Sequence, residues 1–187
     1  EDDNFIDSSK HVWNYSFFSD DEVQQFKDGK LYNAYEKFGS HFLRLLDTDG
    51  FYFAVWAPHA TAVSVVGEFN GWKKPLHPLF PRLDKSGIWE GFIPRLPKGT
   101  LYKYHISAPG DFETDKADPY ARHAEFRPGT ASITWQLDKH WHDDDWMVNR
   151  KYKNALNAPW SVYEVHLASW MRPEKDREDL YNSYTEL

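Results

Sequence analysis

Apolar and polar residues alternate along the chain between positions 41 and 137. Short runs of β-forming residues are separated there by turn residues such as Asn70-Gly71 and Pro97-Lys98-Gly99. Several short strands divided by regular turn signals are typical of an antiparallel β-sandwich of about 100 residues. The predicted strands cover 42–46, 51–57, 62–66, 87–93, 101–107 and 131–137, with a hairpin turn at 47–50.

Alternation also predicts which side chains face the core. Tyr102 and Tyr104 share an apolar face, so Lys103 between them is expected to point outward. In the preceding strand Trp89 lies on one face and Glu90 on the other. We therefore expect sheets with one buried side and one solvated side.

An N-terminal helical arm, residues 1–40, precedes the predicted sandwich. Asp20 is a candidate N-cap, acidic residues follow it, and Gly29 is the stop signal of one short helix. Everything upstream of Gly39 is interpreted as a segment that packs on the rest of the chain.

Two further segments follow the sandwich (41–137). Residues 138–159 are polar and are interpreted as a linker. Residues 160–167 predict a strand, and a helix is expected to begin at Tyr181. A strand followed by a loop and a helix, ending at Leu187, is interpreted as the truncated first βα unit of a larger domain.

Composition narrows the classes of partner. The chain has 187 residues, too few for a complete (β/α)₈ barrel of about 250. Its net charge is -7, and no run of Lys or Arg residues forms a positive stripe. Both observations argue against nucleic acid and anionic membrane as partners. Cysteine is absent, which excludes disulfides and suits a cytoplasmic location.

One loop carries a candidate binding residue. Trp72 follows Asn70-Gly71 at a predicted loop tip, where an exposed indole is a platform for the C–H face of a sugar ring. Lys103 and Phe112 are expected to join it from later segments. The alternative is that Trp72 folds back and caps the edge of the sandwich.

Other chemistry finds little support in the sequence. His140 and His142 have the spacing of a strand-borne metal pair, but no cysteine accompanies them, so we predict no metal site. Glu164 and His166 share a predicted strand face, and we interpret them as residues that orient that strand. Phosphate-binding loops and Gly-x-Ser-x-Gly elbows do not occur.

Taken together, these motifs resemble the glycogen branching enzymes, or 1,4-alpha-glucan branching enzymes. The resemblance runs from residue 35 to the end of the chain and includes the run Tyr163-Glu164-Val165-His166-Leu167-Ala168-Ser169-Trp170. Its other motifs lie at 35–41, 53–58, 63–72, 87–94, 102–104, 116–121 and 127–132.

The resemblance implies an immunoglobulin-like glycogen-binding module ahead of an alpha-amylase-type barrel. It also implies a sugar platform formed by Trp72, Lys103 and Phe112, where the third position usually carries the larger ring of tryptophan. At position 168 the family usually has glycine instead of alanine, which affects only the shape of that turn.

The implied reaction cleaves an alpha-1,4 glucan and transfers the chain to a 6-hydroxyl through a glycosyl-enzyme intermediate. The carboxylates for this step would follow Leu187, so no catalytic residue is assigned and no cofactor is required. The expected partners are alpha-glucans and the protein's own catalytic barrel. Two alternatives stay open at this point: a non-catalytic glucan-binding module and a fragment of a debranching-type glycoside hydrolase.

Overall fold

Two antiparallel sheets form the first of two units in a computed structural model of the chain. The structure describes residues 11–138, 140–171, 173 and 182–186, and the units are Glu1–Asp138 and Lys139–Leu187. The elements of the first unit are α1 (Asp20–Lys27), β1 (Gly39–Leu45), β2 (Thr48–Trp56), β3 (Ala62–Gly67), β4 (Phe80–Pro81), β5 (Ile88–Pro94), β6 (Leu101–Ala108), β7 (Phe112–Lys116), β8 (His123–Ala124) and β9 (Ser132–Ile133), with 3₁₀ turns at Ala34–Glu36 and Glu68–Asn70.

The first sheet has the strand order β1-β2-β5-β4, and the second has β3-β6-β9-β8 with β7 also paired to β6. Their inner faces pack together and confirm the predicted antiparallel sandwich. The shared core is made of aromatic and β-branched side chains from both sheets, including Phe51, Phe53, Val63, Val65, Trp89, Tyr102 and Tyr104.

Several predicted boundaries shift in the structure. The hairpin between β1 and β2 turns at Leu46 and Asp47, both with positive φ, and not over 47–50. The predicted strand 131–137 is paired only at Ser132–Ile133. Strands β4, β7 and β8 were not predicted. Strands β4 and β8 have only two residues each, too few to show a period, and β7 is a mostly polar edge strand.

The arm covers the outer face of the first sheet. Helix α1 begins after Ser19, not Asp20, because the Ser19 hydroxyl accepts a hydrogen bond from the Glu22 backbone N–H at 3.3 Å. A second core joins the arm to strands β2 and β5; its buried members are Trp13, Phe18, Val23, Leu31, Phe38, Tyr52, Ala54, Ile88 and Phe92. Each large side chain buried in this way contributes about 1.5–3 kcal/mol.

The expectation of one solvated side is therefore wrong for this sheet. In β5 every residue from Ile88 to Ile93 is buried, including Glu90, which is 4% exposed. Trp13 pairs with Phe92 through two backbone hydrogen bonds of 2.7 and 2.9 Å and extends the edge of the sheet. Alternation alone missed this because the covering segment is distant in sequence.

Glu90 is stabilised beneath the arm by hydrogen bonds to both carboxylate oxygens. The Tyr52 hydroxyl donates to Oε2 at 2.5 Å, and Arg82 Nη1 donates to Oε1 at 2.8 Å. Arg82 Nη1 also donates to the Ser16 hydroxyl, and Arg82 Nε donates to Asp84 Oδ2 at 2.6 Å. Burial beside Glu90 raises the pKa of Tyr52 well above its usual value, so Tyr52 is a donor at neutral pH.

Two helices, α2 (Asp144–Lys153) and α3 (Leu167–Trp170), lie in the second unit. Helix α2 replaces the middle of the predicted linker. Acidic residues in its first turn and basic residues in its last turn complement the helix dipole. The predicted strand over 160–167 is not formed, since no described residue of this unit offers a paired strand.

The helix expected to begin at Tyr181 is not formed over the described residues 182–186, of which 184–186 form a turn. Among the described helices, none combines the length and the apolar character that a membrane span requires.

We predict that Arg82→Met lowers the free energy of unfolding by about 3 kcal/mol, because Glu90 then stays buried without its counter-charge. Adding Glu90→Gln to this variant is expected to restore part of the loss. Urea unfolding monitored by circular dichroism measures both. Arg44→Met is the control, because the ion pairs of Arg44 are exposed and are worth about 0.5 kcal/mol. Equal losses in Arg82→Met and Arg44→Met would contradict the role of the buried pair.

Candidate functional site

The loop after β3 lies beside the outer face of the second sheet. A 3₁₀ turn (Glu68–Asn70) leads into Gly71 and Trp72, whose φ angles of 62° and 59° are both left-handed. The Trp72 backbone N–H donates to the Gly67 carbonyl at 2.9 Å, which fixes the tip of the loop at the end of β3. Trp72 is 41% exposed.

Asn70 holds this loop from inside. Its Oδ1 accepts from the Gly67 N–H at 3.0 Å, and its Nδ2 donates to the Val65 carbonyl at 2.9 Å. The same amide nitrogen lies 3.0 Å from His77 Nδ1. Asn70 is buried, so each of these bonds satisfies a group that would otherwise be desolvated without a partner.

Gly67, the last residue of β3, allows the start of the loop to lie close to Leu101 of β6. A Cβ at this position would lie 2.2 Å from the Leu101 carbonyl oxygen and 2.8 Å from the Phe69 ring. The backbone of Gly67 is extended, so the requirement is for space and not for a left-handed conformation.

The structure brings the backbone of Trp72 close to Lys103. Lys103 pairs with Val66 in the β3–β6 ladder, one residue from the Gly67 that anchors Trp72. By alternation its side chain leaves the core face, as predicted, because Tyr102 and Tyr104 are fully buried. Lys103 Nζ donates to the Thr130 hydroxyl at 2.7 Å, a contact for which the sequence carried no signal.

Phe112 is placed away from this pair. It opposes Ala108 in the β6–β7 ladder, five residues along β6 from Lys103, which is about 16 Å at the usual rise. Residues that oppose each other share a face, and Ala108 has the parity of Tyr104, so the register assigns Phe112 and Lys103 to opposite faces. Phe112 is 55% exposed. The sequence missed this because strand β7 and its register were not predicted.

His77 is neutral in the folded protein at neutral pH. Burial lowers its pKa to about 4, with a further contribution from nearby His11. A neutral ring accepts the Asn70 Nδ2–H at Nδ1, whereas a protonated ring has no acceptor there. The loop geometry therefore depends on the uncharged form.

The remaining candidates lie in the second unit. His140 and His142 have their rings 4.8 Å apart, but the described residues contain no group of three potential metal ligands. Glu164 and His166 are exposed, and His166 Nδ1 lies 2.9 Å from the Ser169 hydroxyl. Their predicted strand is not formed, so its alternation does not put them on a common face.

We predict that stability falls as pH decreases from about 6.5 to 4. Unfolded His77 takes up a proton near its ordinary pKa of about 6.5, but the folded protein takes it up only at about 4. Acid therefore favours unfolding by about 1.4 kcal/mol per pH unit across this window. Burial also lowers the pKa of His41, which adds a loss of the same sign.

The comparison of His77→Gln with His59→Gln isolates this effect, because His59 lies in an exposed turn. Urea unfolding at pH 7, 6, 5 and 4.5 is expected to show a flatter slope for His77→Gln alone. The same slope in both variants and in the parent chain would contradict the assignment to His77.

Comparisons with known proteins bear on this site. Residues 37–121 match carbohydrate-binding module 48, described as an isoamylase N-terminal domain. The 1,4-alpha-glucan branching enzyme GlgB of Aquifex aeolicus is 44% identical over 174 residues, 92% of this chain and 27% of that protein. The corresponding enzyme of Albidiferax ferrireducens is 47% identical over 83% of this chain and 25% of that protein.

The solved structure of Klebsiella pneumoniae pullulanase complexed with maltotriose is 28% identical, with a TM-score of 0.43 over 55% of this chain and 10% of that one. The chain spans about a quarter of the length of the two branching enzymes above. Residues 37–121 are therefore similar to carbohydrate-binding module 48, and the chain as a whole is similar to part of the 1,4-alpha-glucan branching enzymes GlgB.

Proposed function

We propose that this chain binds alpha-glucan on the outer face of its second sheet, with Trp72 as the stacking platform and Lys103 beside it. The observation that carries this proposal is an exposed tryptophan held at a loop tip by buried hydrogen bonds, inside a carbohydrate-binding module. A flat indole complements the C–H face of a glucose ring.

Rigidity of the loop favours binding. Asn70 ties the loop to Gly67 and Val65, so Trp72 loses little backbone freedom when a sugar stacks on it. Lys103 supplies a charged donor on β6, opposite the end of β3, and the Thr130 hydroxyl that it contacts offers a second polar group. A glucan chain presents both C–H faces and hydroxyl groups, which matches this combination.

The longer protein is proposed to be a 1,4-alpha-glucan branching enzyme, supported by 44–47% identity over most of the chain. It would cleave an alpha-1,4 linkage through a retaining carboxylate mechanism and transfer the chain to a 6-hydroxyl. We assign that chemistry to residues other than these 187, and the glucan-binding module positions the substrate. A cytoplasmic location agrees with a sequence free of cysteine. Failure of the longer protein to form alpha-1,6 linkages from amylose, measured by proton NMR, would overturn this assignment.

We predict that Trp72→Ala weakens maltoheptaose binding at least tenfold. The substitution removes the stacking contact between the indole ring and a glucose unit, together with the area that this contact buries. Lys103→Ala is expected to weaken binding about fivefold, as the loss of one hydrogen bond of about 1 kcal/mol. Isothermal titration calorimetry of the 187-residue chain measures both.

Phe112→Ala serves as the matched control, since it also removes an exposed ring but at a distant point of the sheet. Its affinity for maltoheptaose is expected to stay within a factor of two of the parent. Equal losses for Phe112→Ala and Trp72→Ala would show that the platform extends to β7, as the resemblance alone implied. No binding by the parent chain would overturn the proposed function.

A further inference from the structure

A pocket of about 360 Å³ opens on the outer face of the second sheet, next to the loop that carries Trp72. Its floor is formed by Ser64 of β3 and by His105 and Ser107 of β6, and Pro75 and Pro78 form an apolar wall. The volume lies at the lower end of the range of small-molecule sites, about 300–1,000 Å³.

An ion pair and a hydrogen-bonded histidine define the polar side of this pocket. Lys74 Nζ, from the apolar-wall loop, lies 2.5 Å from Glu113 Oε2 of β7. His105 is 4% exposed, and its Nδ1 lies 2.7 Å from Asp115 Oδ1. Its Nε2 is 3.9 Å from Glu113 Oε2, beyond hydrogen-bond range.

Three polar atoms of the floor have unused hydrogen-bonding capacity. Within the described part of the chain, the Ser64 and Ser107 hydroxyls and His105 Nε2 make no side-chain hydrogen bond. In a neutral ring whose Nδ1–H donates to Asp115, Nε2 is an acceptor. Hydroxyl groups that donate and accept on one small surface suit a ligand that carries hydroxyls itself.

Charge favours a neutral ligand over an ion. Lys74 is neutralised by Glu113, and Asp115 is the hydrogen-bond partner of His105, so the pocket offers no unpaired cation to an anion. The proline wall matches the C–H face of a pyranose, and the serine floor matches its hydroxyls.

We propose that this pocket is a second glucan subsite, which takes a glucose unit of the chain that stacks on Trp72. Lys74 and Pro75 follow Trp72 by two and three residues, so one loop forms both the platform and the pocket wall. This inference rests on the proposed function, because it extends the same glucan along the same sheet face.

Titration of the ¹⁵N-labelled 187-residue chain with maltotriose tests the pocket and the platform separately. The backbone amides of Ser64 and Ser107 report the pocket, and the Trp72 indole N–H reports the platform. Ser107→Trp fills the pocket. It is expected to weaken the maltotriose affinity measured from the Ser64 amide shift at least tenfold. Lys116→Trp is the matched control, because Lys116 lies on β7 but opposes Tyr104 and therefore faces the other side of the sheet.

Ser107→Ala is a second test of the pocket, for the case in which the bulky Ser107→Trp variant does not fold. It removes one hydroxyl and is expected to weaken binding at Ser64 about fivefold, the equivalent of one hydrogen bond. Retention of the Ser64 shift in Trp72→Ala would support an independent pocket even if the platform proposal failed.

Movement of the Trp72 indole alone would overturn the pocket and leave the proposed function intact. A Ser64 shift that survives unchanged in both Ser107 variants would also overturn it. Inorganic phosphate is the competing probe: saturation of the Ser64 and Ser107 shifts by phosphate but not by maltotriose would assign the pocket to an anion and overturn the proposal. Absence of any shift with maltotriose would overturn both proposals.

Discussion

The first sheet of this protein is apolar on both faces, and its outer face is covered by the N-terminal arm. Trp13, Phe18 and Phe38 close a second core over Tyr52 and other residues of the sheet. Without the arm these side chains would form an exposed apolar surface larger than a soluble domain tolerates. The arm is therefore an integral part of the fold of this unit.

Buried polar groups give this apolar framework its fixed geometry. Asp118 accepts hydrogen bonds from the Tyr102 and Tyr104 hydroxyls at 2.5 and 3.3 Å inside the first unit, and burial raises its pKa. Asn70 likewise makes buried hydrogen bonds in the loop that carries Trp72. At both Asp118 and Asn70, an alternative packing would leave a buried polar group without its hydrogen-bond partner. Such packings are therefore higher in free energy. The loop that carries Trp72 is consequently held by the same kind of interaction as the core.

Period-two patterning was sufficient to predict the sandwich, its main strands and the outward direction of Lys103. It failed where the decisive contact is distant in sequence: Glu90 has the alternation of a solvated position but lies under the arm beside Arg82. The same limit applies to Phe112, since pairing with Ala108 decides its face. His77 and Thr130 carried no local signal at all, because their roles arise from Asn70 and Lys103 across loops.

Resemblance to a family supplied the candidate platform residues, and the structure supplies their positions on the strands. The Trp72 backbone lies near Lys103 because it donates to Gly67, at the point where β3 pairs with β6. The strand expected over 160–167 has no partner among the described residues. A residue pattern predicts a strand only as far as a neighbouring strand is present to pair with it.

Hydrogen–deuterium exchange of the 187-residue chain, with and without maltoheptaose, tests most directly that glucan binds the outer face of the second sheet. The account predicts slower exchange in the amides of residues 64–76 and 101–107 when glucan is present, and unchanged exchange in the arm and in strands β1 and β2. Slower exchange confined to the arm or to the first sheet would contradict it.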